Sequence, residues 1–399
     1  MDIRKTVKNG DVTIALSGKL DTSVSRKTAA DIDSLLAGCK AITSLTCDME
    51  GVDYISSSGL RVLLGLAQKH KNFRIAEAQP GVYKVLEMTG FTKIMHVEQA
   101  LRRLSIDGCA EIGRGGVGTV YRIDDDTIIK VFREGTPLDE VRREIAMAKE
   151  SFVLGMPTAI SFDVVRVGSC YGLVYELLRA DTLGVCINRQ PERIEEFAIL
   201  FSRLFQQMHA IEVPTDCNIP NVLEREEWAV RHISRYFDTE SIDILLRIVS
   251  RIPQGNRLLH GDLQTKNAMM DADGQLMLID MGEVGYGHPV IDLAHAYSAM
   301  VKFGGDGYEE IFGISREVGT DMFNRTLNHY FKGLDAADLA HRIEQIDAVS
   351  CVRNFSWLSL SDSFPEVRIR QSQEFFHERV ARRKDYLFAV SDTLADWTL

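Results

Sequence analysis

The run Glu111-Ile112-Gly113-Arg114-Gly115-Gly116-Val117-Gly118-Thr119-Val120-Tyr121 constrains the fold of this chain more sharply than any other stretch. Glycines at 113, 115, 116 and 118 let backbone approach a phosphate without interference from a Cβ. In a dinucleotide fold such a loop opens a helix. Here Thr119-Val120-Tyr121-Arg122-Ile123 continues as a strand, Asp124-Asp125-Asp126 reads as a turn, and Thr127-Ile128-Ile129-Lys130-Val131-Phe132 reads as a second strand. Lys130 therefore sits inside an apolar strand, where an unpaired ammonium is costly, so it requires an anion. Glu144, in the helix-patterned stretch from Leu138 to Lys149, is the first candidate partner, and Glu140, one turn earlier on the same face, is the second. The plain alternative for Glu144 is a solvated helix acid.

A second constellation lies downstream in Leu259-His260-Gly261-Asp262-Leu263-Gln264-Thr265-Lys266-Asn267 and Leu278-Ile279-Asp280-Met281-Gly282. It offers an Asp able to take a proton from a hydroxyl, an Asn five positions on, and a second Asp after an apolar run. Phosphoryl transfer asks for such a set, because its loose transition state needs a positioned nucleophile and metal more than covalent help. Mg²⁺ prefers hard oxygen ligands and keeps several waters, so Asn267 and Asp280 with nucleotide phosphates could hold it. Read singly, Asp262 and Asp280 could equally be turn residues beside strands.

Taken together, these residues resemble the catalytic and metal-binding loops of the protein-kinase-like superfamily. His260-Gly261-Asp262 and the run from Asp280 through His288-Pro289-Val290-Ile291-Asp292 to Ala294 resemble aminoglycoside phosphotransferases and choline kinases more than Ser/Thr protein kinases. The resemblance implies an α+β bilobal protein-kinase-like fold over residues 109–399, with an N-lobe over about 109–178 and a C-lobe over about 179–399. It implies ATP and Mg²⁺ as cofactors, with Gly113, Gly115, Gly116, Gly118, Val120 and Lys130 at the nucleotide. Glu176 and Leu177 would meet the adenine through main-chain atoms, Asp262 would deprotonate the acceptor, Glu144 would keep Lys130, and Asn267 and Asp280 would hold the metal. His209, His260 and His295 are expected to be structural, and Asp292 to tie the loop through hydrogen bonds. Gly261 stands where regulated protein kinases carry an arginine, only nine residues separate Gly282 from Asp292, and no Ala-Pro-Glu follows. A long peptide-binding segment is thus absent, and the expected acceptor is the hydroxyl of a small molecule.

The first hundred residues read differently. Val12 to Leu16, Leu45 to Met49 and Phe73 to Ala76 have strand patterns, while Ala29, Ile32, Leu35 and Leu36, then Leu60, Leu63, Leu64 and Ala67, recur at helical spacing. Val82 to Met88 and Val97 to Leu104 read as two further short helices, which gives a small α/β sandwich over residues 1–105. Asp53-Tyr54-Ile55-Ser56-Ser57-Ser58-Gly59-Leu60-Arg61-Val62-Leu63-Leu64 resembles the signature loop and helix of the anti-sigma-factor antagonist (STAS) domain. The resemblance implies a partner-binding surface and a phosphorylatable hydroxyl at Ser57, although Ser56 stands where the family usually has Asp. A phosphate at a helix start would meet the positive end of the helix dipole. The alternative is that Ser57 or Ser58 is a helix cap.

A formal charge of −11 argues against a general nucleic-acid binder, which would show a basic face. Seven scattered cysteines without a Cys-x-x-Cys pair suggest neither disulfide framework nor zinc site. No apolar run approaches the length of a spanning helix, so no membrane span and a cytoplasmic location are expected. The function expected is therefore ATP/Mg-dependent transfer of a γ-phosphoryl group to a hydroxyl, with the N-terminal domain regulating it or binding a partner. Two alternatives stand beside it: a Ser/Thr protein kinase acting on a STAS serine such as Ser57, and an ATP-binding pseudokinase in anti-sigma-type signalling.

Overall fold

The computed structural model describes residues 1–39, 41–303, 307–360 and 364–397. The chain forms two compact units, Met1–Leu104 and Ser105–Leu399.

In the first unit five strands, Asp2–Lys8, Asp11–Leu20, Ser44–Ile55, Phe73–Ala78 and His96–Gln99, lie side by side in sequence order. The first two form an antiparallel hairpin and the rest are parallel. Parallel neighbours need crossovers, and the helices Thr22–Ala37, Ser57–Lys69 and Pro80–Met88 lie between successive parallel strands in the chain. Val12, Ile14 and Leu16 alternate into the core, as a half-covered strand requires. Asp21 starts the first helix by accepting from the amides of Ser23 at 2.8 Å and Val24 at 3.3 Å. The helix expected from Val97 to Leu104 is instead a strand over His96–Gln99. Val97 pairs in register with the buried Ile75, so the open sheet edge determines its conformation over the local pattern.

In the second unit five antiparallel strands lie in the spatial order Ser161–Val167, Cys170–Glu176, Thr127–Phe132, Gly118–Arg122, Ala110–Arg114. The helix Leu138–Val153 packs on this sheet through Val141 and Ile145 against Phe132 and Leu173. Below it the helix Ile194–Ala210 carries a fully buried stripe of Phe197, Phe201, Leu204, Phe205 and Met208, the centre of the larger core. Two small sheets sit on that core. Ala268–Asp271 pairs with Leu276–Leu278 and with Ala180–Thr182, and Arg257–Leu259 pairs with Gly285–Gly287. The loop from His260 to Asn267 and the turn at Asp280 emerge from the ends of these strands. The remainder is helical, including Val222–His232, Pro289–Tyr297, Arg316–Tyr330 and Ala336–Ser356.

Candidate active site

The strand from Thr127 to Phe132 delivers Lys130 and the helix from Leu138 delivers Glu144, and the two side chains meet. Lys130 Nζ donates to Glu144 Oε1 at 2.8 Å and Oε2 at 2.9 Å. Its third donor goes to Asp280 Oδ1 at 2.8 Å. Tyr175 OH donates to Glu144 Oε1 at 3.0 Å, fixing the carboxylate from the neighbouring strand. Burial would depress the Lys130 ammonium, but Asp280 and Glu144 outweigh it and hold the lysine above its ordinary range. Glu140, the second candidate, is not the partner: Glu144 is buried and Glu140 is exposed.

Asp280 has a left-handed backbone, φ 60° and ψ 61°, one of three non-glycine residues with positive φ among the described residues. Such a conformation costs about 1–3 kcal/mol and persists where surrounding structure imposes it. Here the ion pair with Lys130 and the strand pairing just upstream impose it, because Leu278 N donates to Pro157 O at 2.6 Å and Ile279 N to Asn267 O at 3.0 Å.

The loop carrying Asp262 is held from below. Asp292, fully buried at the start of the helix Pro289–Tyr297, accepts from the amides of His260 at 3.1 Å and Gly261 at 2.7 Å. His209 is more than the packing residue expected from its position. Its Nε2 lies 3.2 Å from Asp292 and its Nδ1 2.8 Å from Tyr330 OH, so it aims the carboxylate that holds the loop. His260 bonds the Ile279 carbonyl and accepts from the Asp262 amide, and His295 bonds the Gly261 carbonyl at 2.9 Å. Both are structural in this arrangement. Gly261, with φ +81°, is glycine for a steric reason, since a Cβ there would overlap the Glu283 carbonyl oxygen.

Asn267 donates through Nδ2 to the carbonyl of Asp262 at 2.8 Å and to its Oδ2 at 3.1 Å. The amide orientation follows from that network, and it leaves Asn267 Oδ1 without a partner among the described residues. Burial raises the Asp262 carboxyl, with Asp280 and Glu283 acting in the same direction and Arg353 and His260 against it.

Lys130, Glu144 and Asp280 are therefore in direct contact, as are Asp262 and Asn267, and the two groups are joined through the Ile279–Asn267 main-chain bond. At the end of the strand Cys170–Glu176, Glu176 N donates to Ile160 O and Leu177 N to Asp126 O, so both amides are engaged within the lobe. In the glycine loop only Gly118 is required by the fold, because a Cβ there would overlap the carbonyl of Val131. Gly113, Gly115 and Gly116 have no positive φ, and a Cβ on any of them would meet nothing closer than 3.8 Å. Val120 lies on the strand leaving this loop. Ser57, in the other unit, is the exposed first residue of its helix. The cap is Ser56, whose Oγ accepts from Gly59 N at 3.3 Å, not Ser57 or Ser58.

Several groups here were not anticipated from sequence. Arg225 donates to the Glu283 carbonyl at 2.9 Å and pairs with its carboxylate at 3.4 Å. Glu226 lies 3.2 Å from His295 and 3.7 Å from Arg353, which comes from the helix Ala336–Ser356. Burial would raise the Glu226 carboxyl, but His295 and Arg353 outweigh it and bring it down to about 2. Burial would lower the Arg353 guanidinium, but Glu226, Glu283, Asp262 and Asp292 together hold it above its usual range. Each is a single charge on a helix, and only the residue pairing in space marks it.

No curated protein matches the chain. Among solved structures, a GDP complex of an aminoglycoside 2'-phosphotransferase-IIIa mutant shares 16% identity, with 76% of this chain and 98% of that one covered at a TM-score of 0.47. A Plasmodium vivax ethanolamine kinase shares 13%, covering 88% and 97%, at 0.47. An ADP-bound aminoglycoside phosphotransferase APH(2'')-Ib shares 11%, covering 78% and 98%, at 0.46. The sequence model of the STAS domain matches residues 2–103, and that of the phosphotransferase enzyme family matches residues 109–325, more than half of the chain. The chain belongs to the phosphotransferase enzyme family and carries a STAS domain ahead of it.

Proposed function

We propose that this protein transfers the γ-phosphoryl group of ATP to the hydroxyl of a small molecule, with Mg²⁺ as the bound metal. The observation that carries the reading is the Lys130 ammonium held between Glu144 and Asp280, next to the Asp262–Asn267 pair. Structural stability alone does not call for this arrangement, because a buried ion pair is weak support for a fold and a left-handed Asp opposes it. Three glycines of the loop also have no use inside the fold. Their open Cβ directions suit an approaching phosphate, whose oxygens would accept from backbone N–H groups.

The donor set fits the metal. Asn267 Oδ1 and the second oxygen of Asp280 are hard ligands without a partner among the described residues, and two such ligands with phosphates and water are what Mg²⁺ takes. Among the described residues no cluster of three or more His, Cys, Asp or Glu could hold an ion by itself, so a cation here depends on the nucleotide as well. When bound, Mg²⁺ supplies charge neutralisation along the phosphates.

The remaining work belongs to side chains. Lys130 exchanges its Asp280 contact for phosphate oxygens, while Glu144 and Tyr175 keep it in place. Asn267 fixes one oxygen of Asp262, and the other accepts the proton of the acceptor hydroxyl as the new P–O bond forms and the bond from the γ-phosphorus to the bridging oxygen breaks, releasing ADP. Asp292, His209 and His295 hold the loop at the right depth, and a displacement of 1 Å there would lower transfer about a hundredfold. Since the Glu176 and Leu177 amides are engaged, a base beside the end of that strand takes its main-chain donor from Leu178 onward.

A second reading has one observation in its favour. Ser57 is exposed and does not serve as the cap, so its hydroxyl is open to modification. One experiment separates the two. Purified protein is incubated with Mg-ATP, its intact mass is measured, and ADP release is followed with and without added amino alcohols and polyols. Acceptor-dependent ADP release that disappears in Asp262→Asn, with nucleotide binding retained, supports the small-molecule reading. A mass gain of one phosphate, lost in Ser57→Ala, supports the serine acceptor. Nucleotide binding with neither would contradict both and leave a signalling module without turnover.

A further inference from the structure

Resting on that reading, we infer that Arg353 is a specificity-determining residue, and that its guanidinium binds a carboxylate or phosphate on the same small molecule whose hydroxyl Asp262 receives. Arg353 stands on the helix Ala336–Ser356, beyond residues 109–325 that the family model matches, so the site gains a cation from outside the shared segment.

Two of the four acids around it are already committed elsewhere. Glu283 pairs with Arg225 at 3.4 Å, and Asp292 accepts from two loop amides and faces His209. Asp262 gives one carboxylate oxygen to Asn267, and Glu226 turns Oε1 to His295 at 3.2 Å, while its buried Oε2 has no hydrogen-bond partner among the described residues. Arg353 reaches only Glu226 Oε1, at 3.7 Å, outside hydrogen-bond range, and its side chain makes no hydrogen bond among the described residues. A guanidinium has five N–H donors in a planar fork that matches carboxylate and phosphate. Arg225 shows what a structural arginine does here, donating to the Glu283 main-chain carbonyl at 2.9 Å. The Arg353 side chain keeps 19% of its surface open where Glu226 keeps 3%, so its fork is the more accessible partner of that pair. Glu226 and His295 connect it to the Gly261 carbonyl, one residue before Asp262, and its donors remain free among the described residues.

The test uses the full chain and four probes, titrated calorimetrically with and without saturating Mg-ADP. γ-Hydroxybutyrate and glycerol phosphate carry the two anions, and butanediol and aminobutanol are the neutral and cationic counterparts. One or both anions should bind at least about tenfold more tightly than the diol and the amine. Arg353→Met should weaken the preferred anion by roughly tenfold to a hundredfold, the loss expected for hydrogen bonds to a charged group. It should change the diol and Mg-ADP less than threefold. The two anions tell carboxylate from phosphate. The proposal is overturned if neither anion binds, if aminobutanol or butanediol binds as tightly, or if Arg353→Met retains the preference. Should the methionine variant not fold, Arg353→Lys carries the same comparison, since it keeps the charge but loses the fork. Failure of Mg-ADP to bind would instead overturn the phosphotransfer reading, and the anion preference would still be measured without nucleotide.

Discussion

Replacing Gly261 by alanine tests how tightly the Asp262 loop is specified. The added Cβ would overlap the Glu283 carbonyl oxygen and come within 3.0 Å of Glu283 Cβ and 3.1 Å of the Arg225 guanidinium. The left-handed φ of +81° adds about 1–2 kcal/mol for a residue with a Cβ. Relief of the overlap requires the loop to retreat from the turn after Asp280, which weakens the charge-assisted bond from Gly261 N to Asp292 at 2.7 Å. Overpacking of about 1–3 kcal/mol and partial loss of that bond bring the cost to about 3–5 kcal/mol. Urea denaturation of the full chain should show that loss in the transition of the second unit. Nucleotide affinity should stay within threefold, because Lys130 and the glycine loop are untouched, while transfer falls about a hundredfold. Gly261→Asn separates the two causes. Asn tolerates a left-handed backbone but brings the same Cβ, so it should recover at most the φ share, about 1–2 kcal/mol, and keep the cost of the overlap. An Asn variant with near-normal stability and turnover, or an Ala variant within 1 kcal/mol of the parent, would refute the steric explanation.

Glu144→Gln leaves Lys130 with Asp280 as its one carboxylate. Nucleotide affinity should fall at least about tenfold and stability by about 2–3 kcal/mol, below the usual cost of breaking a buried pair because the second acid remains; unchanged calorimetric affinity would contradict the role given to Glu144. His288 caps the helix Pro289–Tyr297 through Nδ1, which accepts from Val290 N at 3.2 Å, and burial lowers its pKa from 6.5 to about 4. Because the unfolded chain takes the proton first, stability contributed by neutral His288 is intact above pH 6.5 and declines as pH falls toward 4. The loss reaches about 3 kcal/mol, and His288→Asn, which keeps the cap, should flatten that acid limb in urea titrations against pH.

Local patterns carried much of this in the sequence. The glycine loop was legible because a strand, not a helix, follows it, and Asp262, Asn267 and Asp280 because their order and spacing are compact. Lys130 with Glu144 could be paired in advance because a buried ammonium demands a partner and the next helix offers few. Arg353, Arg225 and Glu226 were not legible. Each is one charge among many on a helix, and their meeting depends on how distant helices pack, which periodicity does not encode. His209 was placed correctly but given too small a role for the same reason, since its partners Asp292 and Tyr330 lie far along the chain. The segment His96–Gln99 reads as helix from sequence because four residues give little pattern, and the partner strand Phe73–Ala78 makes it a strand.

Convergence of Lys130, Asn267 and Asp280 on one magnesium-nucleotide is tested most directly by the Mg²⁺ dependence of ATP-analogue binding in the parent protein and in Asp280→Asn. Mg²⁺ should tighten binding markedly in the parent and far less in Asp280→Asn, with metal-free affinity similar in the two. An identical Mg²⁺ response in both proteins would contradict it.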